Sequence, residues 1–215
     1  MSAPAKSTPL ATSTPSSTTP IPTKPPSSEP PTFDFPREYH FPPFFTLQTN
    51  HATLRSQQEK WSSLILSYCR YHRIYRITLS YTDTAHEDLF HNRRLSRSLR
   101  LSDAREILKF MQKEGRAEPV DSGSNSSSGG GGGELFWIYW RTPEEWAAMV
   151  EEWVEETAQK GAVLTLYELT EGEGTRGTEF HGLDPELLQK ALQVLVKRGK
   201  AQIFGQEDQQ GIKFF

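Results

Sequence analysis

Ser122–Trp140 reads SGSNSSSGGGGGELFWIYW, a serine and glycine run that gives way to an intensely apolar segment. Taken alone, Ser122–Gly133 has the composition of a flexible linker and would divide the chain there. Leu135–Trp140 (LFWIYW) reads as a short strand. The fold turns on which side of the glycines that strand belongs to.

The two halves of the chain echo each other. A helix ending KEGRA and a helix ending KRGKA place Gly115 and Gly199 84 residues apart, and the same shift pairs Leu108 with Leu192 and Met111 with Leu195. A shift of 85 carries Trp61 onto Trp146. In the second half, Thr142 and Pro143 supply the cap and first turn for PEEWAAMVEEWVEETAQ, with Trp146, Met149, Val150 and Trp153 on one face. Gly161 ends that helix, and VLTLYELTE is a brief strand running into a short helix. Asp184 and Pro185 open ELLQKALQVLVKRG, and Ala201–Phe204 and Ile212–Phe215 close the chain as two strands around a polar turn.

The first half has the same order. Asn50 or Thr53 caps a helix whose Leu54, Trp61, Leu64, Ile65, Tyr68, Cys69 and His72 recur at helical spacing. Tyr75–Leu79 reads as a strand, Ala104, Ile107, Leu108 and Met111 form the stripe of a second helix, and Ala117–Val120 is a strand that Pro119 confines to a sheet edge. This half lacks only its last strand, and LFWIYW is the sole candidate. The Gly/Ser run is then a long wing loop inside the first of two winged-helix domains. The predicted architecture is α+β: a disordered Ser/Thr/Pro tail (1–32), an extended Pro/aromatic segment (33–48), a winged helix over 49–141 with its wing loop at 122–133, and a second over 142–215.

Phe35–Asn50, FPREYHFPPFFTLQTN, fits none of the regular elements. Its prolines push it toward extended or irregular backbone. Phe35, Tyr39, Phe41, Phe44 and Phe45 each gain about 1.5–3 kcal/mol on burial, so the segment requires a receptor, in this chain or in another protein.

Composition excludes several classes. The chain carries 24 Lys+Arg against 27 Asp+Glu, a formal charge of -3, so it is no polyelectrolyte binder as a whole. The single Cys69 has no disulfide partner within the chain and suits a reducing compartment as a buried thiol. No run reaches the ~18 apolar residues of a membrane span, and Met1–Thr32 has no apolar signal core. The expected location is cytosolic or nuclear, with membranes reached only through partners.

Catalytic and cofactor motifs are equally sparse. The six histidines show no metal-ligand spacing, since His86 and His91 stand five apart in a polar stretch without cysteines. GEGTRG (172–177) matches a dinucleotide fingerprint by letter but opens no helix. The glutamates of 144–156 form a solvated helix face. We expect no enzyme and no cofactor. A nucleic-acid-binding winged helix is the alternative, resting on Arg93, Arg94, Arg97, Arg100, Arg105, Lys109, Lys113 and Arg116. Charge argues against it: residues 33–141 hold 15 basic and 12 acidic side chains, and residues 142–215 hold 7 and 14, an acidic half that a duplex repels.

FPPFFTLQTN, W..LIL.YCR.H, WR.PEEW, TLYELT.GE, EFHGLD and the terminal G.KFF occur in an order that resembles the vacuolar protein-sorting-associated protein 25 family, the small subunit of the endosomal sorting complex ESCRT-II. The similarity runs from about Phe35 to Phe215; the tail and the Gly/Ser loop are departures. The resemblance implies a tandem winged-helix adaptor, present in two copies per complex and recruited peripherally to endosomes. It implies that PPxY- or PPxF-type motifs dock into pockets on the larger subunits numbered 22 and 36. Here FPREY (Phe35, Pro36, Tyr39) takes the place of the first motif with one proline, and PPFF (Pro42, Pro43, Phe44, Phe45) matches the second. It further implies that the second winged helix recruits the ESCRT-III subunit numbered 20 for sorting ubiquitinated cargo into multivesicular bodies. The acidic second half suits a basic amphipathic helix. Glu151, Glu152, Glu155, Glu156, Thr165, Leu166 and Glu168 are the candidate contacts.

Overall fold

In the computed structural model, which describes residues 1, 32–80, 87–120, 134–205 and 210–215, Asn50 starts the first long helix. Its side-chain oxygen accepts from the amides of Ala52 and Thr53 at 3.0 and 3.3 Å, and α1 (His51–His72) follows. At 22 residues it is about 33 Å long, and it buries Trp61, Leu64, Ile65, Tyr68 and Cys69 along one face. The chain then runs through β1 (Arg76–Leu79), the single turn α2 (Glu87–Phe90), a tight hairpin β2 (His91–Asn92) and β3 (Arg97–Ser98), α3 (Leu101–Lys113), β4 (Ala117–Pro119) and β5 (Glu134–Ile138). The second half comprises α4 (Pro143–Glu156), β6 (Val163–Thr165), α5 (Leu166–Glu171), α6 (Pro185–Lys197), β7 (Ala201–Phe204) and β8 (Gly211–Phe214).

Each half makes a three-stranded antiparallel sheet with its last strand in the middle, β1-β5-β4 and β6-β8-β7. Leu135–Ile138 is thus the central strand of the first sheet: Phe136 stands opposite Ile77 on one side and Pro119 on the other. Pro119, which cannot donate to a ladder, lies on an edge strand. The wing loop expected at 122–133, the tail over 2–31 and the polar turn at 206–209 lie outside the described residues.

The repeated KEGRA and KRGKA are the same helix stop. Gly115 and Gly199 take φ of 69° and 71°, and the next amide reaches back five residues, Arg116 to Met111 and Lys200 to Leu195, at 2.8 and 2.9 Å. That is the Schellman arrangement, which requires a left-handed residue. Thr142 and Asp184 cap the helices that they are expected to open, Thr142 in a reciprocal capping box with Glu145 and Asp184 by accepting from the amides of Glu186 and Leu187; Thr165 and Glu168 close a second capping box, beyond those expected from the sequence.

β5 also joins the halves. Phe136 and Ile138 enter the core built on Trp61, Leu64, Ile107 and Met111, while Trp137 and Tyr139 enter the one built on Trp146, Val150, Leu188 and Leu192. The period-two alternation of a strand assigns its faces to two different cores. Polar contacts reinforce the seam. Arg76 pairs with Asp184 at 2.8 Å, Glu179 takes Arg70 at 3.1 Å and Arg141 at 3.0 Å, and Arg73 donates to the carbonyls of Glu179 and His181. Two cations lie over the Trp137 ring, Arg76 at 4.2 Å and Lys190 at 5.4 Å from its centre. Phe33–Phe215 accordingly forms one compact unit.

Candidate partner-binding surfaces

The Pro/aromatic segment departs from the extended arm expected of it. It folds as two 3-10 turns, Arg37–His40 and Pro42–Phe45, lying on α1. Proline suits the opening of such a turn, where no N–H is needed and φ is already set. The receptor for most of its aromatic surface is this chain itself: Tyr39, Phe44 and Phe45 are only 3–5 % exposed, within the first core. Phe44 stacks on Trp61 with ring centres 4.4 Å apart, and its carbonyl accepts from Trp61 Nε1 at 3.0 Å and Gln57 Nε2 at 2.8 Å. Phe35 stacks on Tyr39 at 4.0 Å, whose carbonyl takes the buried Asn92 amide at 2.8 Å and whose hydroxyl donates to the Asp88 carbonyl. Burial pushes the Tyr39 phenol well above its ordinary range.

What the segment leaves outside is specific. Phe41 is 61 % exposed, and Pro42 and Pro43 are exposed beside it. Phe35 and Pro36 are half-buried. The seven residues predicted as an anchor therefore divide into a buried set and an outward Pro42–Pro43 ridge, which Phe41 completes.

In the second half, the predicted acidic face is only partly free. Glu151 pairs with Lys200 at 3.2 Å and Glu155 with Lys160 at 2.7 Å, a hydrogen bond that holds the Glu155 carboxyl below its usual range. Glu152 and Glu156 stand exposed one turn apart on α4. The Glu168 carboxylate accepts from the Thr165 amide at 2.7 Å and hydroxyl at 2.9 Å, so both residues serve the cap of α5. The amide bond is the larger cause of the lowered Glu168 pKa. Two residues absent from the predicted set flank half-buried Leu166: Val163 and Tyr167 are 59 % and 71 % exposed. Their apolar character was legible, but the helical period of α5 alone could not show that Tyr167 points outward.

The arginine cluster behind the nucleic-acid alternative is largely neutralised where it stands. Arg93 pairs with Glu87, Arg100 with Asp103, Arg105 with Glu134, Lys109 with Glu106 and Arg116 with Glu145, all between 2.9 and 3.1 Å. Cys69 is fully buried, and burial drives its thiol far above its ordinary pKa, which leaves it unreactive. Among the described residues no group of His, Cys, Asp and Glu is placed to hold a metal ion, and no helix is long and apolar enough to cross a membrane.

Comparison with known proteins places this geometry in a family. A family model described as "ESCRT-II complex subunit" matches residues 38–184. Vacuolar protein-sorting-associated protein 25 of Homo sapiens is 40 % identical over 184 residues, 86 % of this chain and 98 % of that protein. Its counterpart in Dictyostelium discoideum is 38 % identical over 187 residues, 85 % and 96 % of the two chains. Among solved structures, the crystal structure of subunit VPS25 of the endosomal trafficking complex ESCRT-II superposes with a TM-score of 0.70 at 31 % identity, covering 83 % of this chain and 97 % of that one. The corresponding chain in the crystal structure of the endosomal complex ESCRT-II (VPS22/VPS25/VPS36) gives 0.70 at 32 % identity, covering 83 % and 98 %. With the family model spanning residues 38–184 and relatives about 40 % identical over 86 % of the chain, this chain belongs to the ESCRT-II complex subunit family.

Proposed function

We propose that this chain is the small, non-catalytic subunit of an ESCRT-II complex, working as an adaptor at endosomal membranes. Its first winged helix, with the segment that precedes it, docks onto the larger subunits, the counterparts of VPS22 and VPS36, in two copies per complex. Its second recruits an ESCRT-III subunit, so that ubiquitinated cargo is sorted into multivesicular bodies.

The observation that carries the docking half is the ridge of Phe41, Pro42 and Pro43, held outward by turns that Tyr39, Phe44 and Phe45 pin from beneath. A preformed apolar knob loses little entropy on entering a pocket. Phe35, Pro36, Tyr39, Phe44 and Phe45 remain part of the docking motif in this reading, with the buried three fixing its shape. For ESCRT-III, the exposed pair Glu152 and Glu156 supplies the charge that steers a basic helix, and Leu166, between exposed Val163 and Tyr167, supplies apolar contact. Glu151, Glu155, Thr165 and Glu168 shape that face through their own pairs and caps.

The deciding experiment mixes this chain with its two larger subunits and reads mass by light scattering, comparing wild type with Phe41→Ala/Pro42→Ala/Pro43→Ala. The expected result is loss of the two-copy complex while the variant keeps its circular dichroism spectrum and melting temperature. Undiminished assembly by the folded variant would move the interface off the ridge.

A further inference from the structure

The hairpin joining β2 to β3 carries the N-terminal part of the arginine cluster and stands apart from the docking ridge and the acidic face. Its four-residue turn, Arg93-Arg94-Leu95-Ser96, carries two arginines at the third and second positions before a serine. Ser96 is exposed at the tip and makes no side-chain hydrogen bond among the described residues. It is the only serine or threonine in the chain with basic residues at both the third and the second preceding positions. We propose that Ser96 is a phosphorylation site for a basophilic serine/threonine kinase, one whose acidic subsites read Arg93 and Arg94.

The conformation of Ser96 supports this assignment. Its φ is 49°, left-handed for a residue that is not glycine, and within the turn one backbone–backbone bond forms, Ser96 N–H to Arg93 O at 3.3 Å. Opening the tip relieves backbone strain at the cost of that contact and of the Leu95 N–H bond to Asn92, and it delivers the extended conformation in which a kinase cleft takes its substrate. The base of the hairpin is fixed: Asn92 is buried, its side chain donating to Tyr39 O at 2.8 Å and accepting from Leu95 N–H at 3.1 Å. The tip can therefore open without loss of the core. Neighbouring serines are less suited. Ser98 sits in β3 opposite His91, and the Ser102 hydroxyl donates to Asp103 at 3.1 Å.

The chemistry needs magnesium ATP from the kinase. A bond forms between Ser96 Oγ and the γ-phosphorus as the bond from that phosphorus to the β,γ-bridging oxygen breaks. ADP leaves with the bonding pair, and the hydroxyl proton passes to the catalytic aspartate of the kinase. With Arg93 already paired to Glu87, the product's charge of about -2 offsets the positive charges of Arg94 and Arg97.

The test incubates the full chain with the catalytic subunit of a cyclic-AMP-dependent protein kinase and magnesium ATP, and maps the phosphate by mass spectrometry. The expected result is one phosphate on Ser96, abolished in Ser96→Ala. Arg94→Ala should lower kcat/KM at least tenfold, and Arg97→Ala, on the other side of the serine, less than threefold. All three positions are exposed, so circular dichroism should show unchanged folds. No incorporation into the folded wild type, incorporation that persists in Ser96→Ala, or equal losses from Arg94→Ala and Arg97→Ala would each overturn the assignment.

Discussion

The ring of Phe44 lies flat on Trp61 while its carbonyl takes two side-chain N–H groups, so one residue fixes the second 3-10 turn by packing and by hydrogen bonding together. Phe44→Ala should cost about 3–5 kcal/mol in urea denaturation, since it leaves a cavity against an immobile indole. Phe41→Ala, at an exposed position of the same turn, should stay within about 0.5 kcal/mol. Equal losses at the two sites would show that the two faces are not distinct. Glu179 gives a pH dependence. The hydrogen bond from Arg141, and then Arg70, holds its carboxyl below the usual range. Its contribution is therefore present above the unfolded pKa of about 4.3 and is lost as pH falls through the lower folded value. Glu179→Gln should be less stable than wild type at pH 7, and the difference should shrink as the pH is lowered from about 4.3; a gap that does not shrink in acid would exclude this carboxylate as its source. The aromatic segment announces in sequence that it needs a receptor. It does not say which, because Gln57, Trp61 and Asn92 meet it only after α1 and the β2–β3 hairpin have been brought together.

At the scale of elements, local chemistry was a good guide. Asn50, Thr142 and Asp184 cap the helices they precede, and the twin glycines stop equivalent helices with φ of 69° and 71°. Gly115→Ala and Gly199→Ala should each cost about 1–2 kcal/mol, because alanine must enter the left-handed region at a site with no steric neighbour to blame. Equilibrium unfolding of the two variants checks this; losses that differ severalfold would break the equivalence of the halves. The 3-10 turns over Arg37–His40 and Pro42–Phe45 were not legible, since four-residue turns leave no periodicity to read. The same brevity hid the outward direction of Tyr167 in the six-residue α5.

For the whole molecule, the internal repeat suggested two domains in series, whereas Phe33–Phe215 forms one compact unit in which β5 supplies side chains to two cores. Trp137 and Tyr139 belong to the second core although their backbone hydrogen-bonds in the first sheet. Heating should give one transition, with calorimetric and van't Hoff enthalpies in agreement. Trp137→Ala should lower its midpoint without splitting it, and two resolved transitions in the wild type would show that the seam between the halves is weaker than its contacts suggest. The repeat was visible because each half keeps its own caps and stops. The seam was not, because a period-two strand does not say which neighbour owns each face.

The order of strands in the first sheet has a consequence for synthesis. β1 and β4 do not touch; each pairs only with β5, which leaves the ribosome after both of them. A nascent chain that has reached Val120 holds the helices of its first half with no sheet to close them, and the strand that completes that sheet arrives already carrying Trp137 and Tyr139 for a core not yet made. Vectorial folding of this protein is thus a wait for one strand, followed by a commitment that only the remainder of the chain can finish.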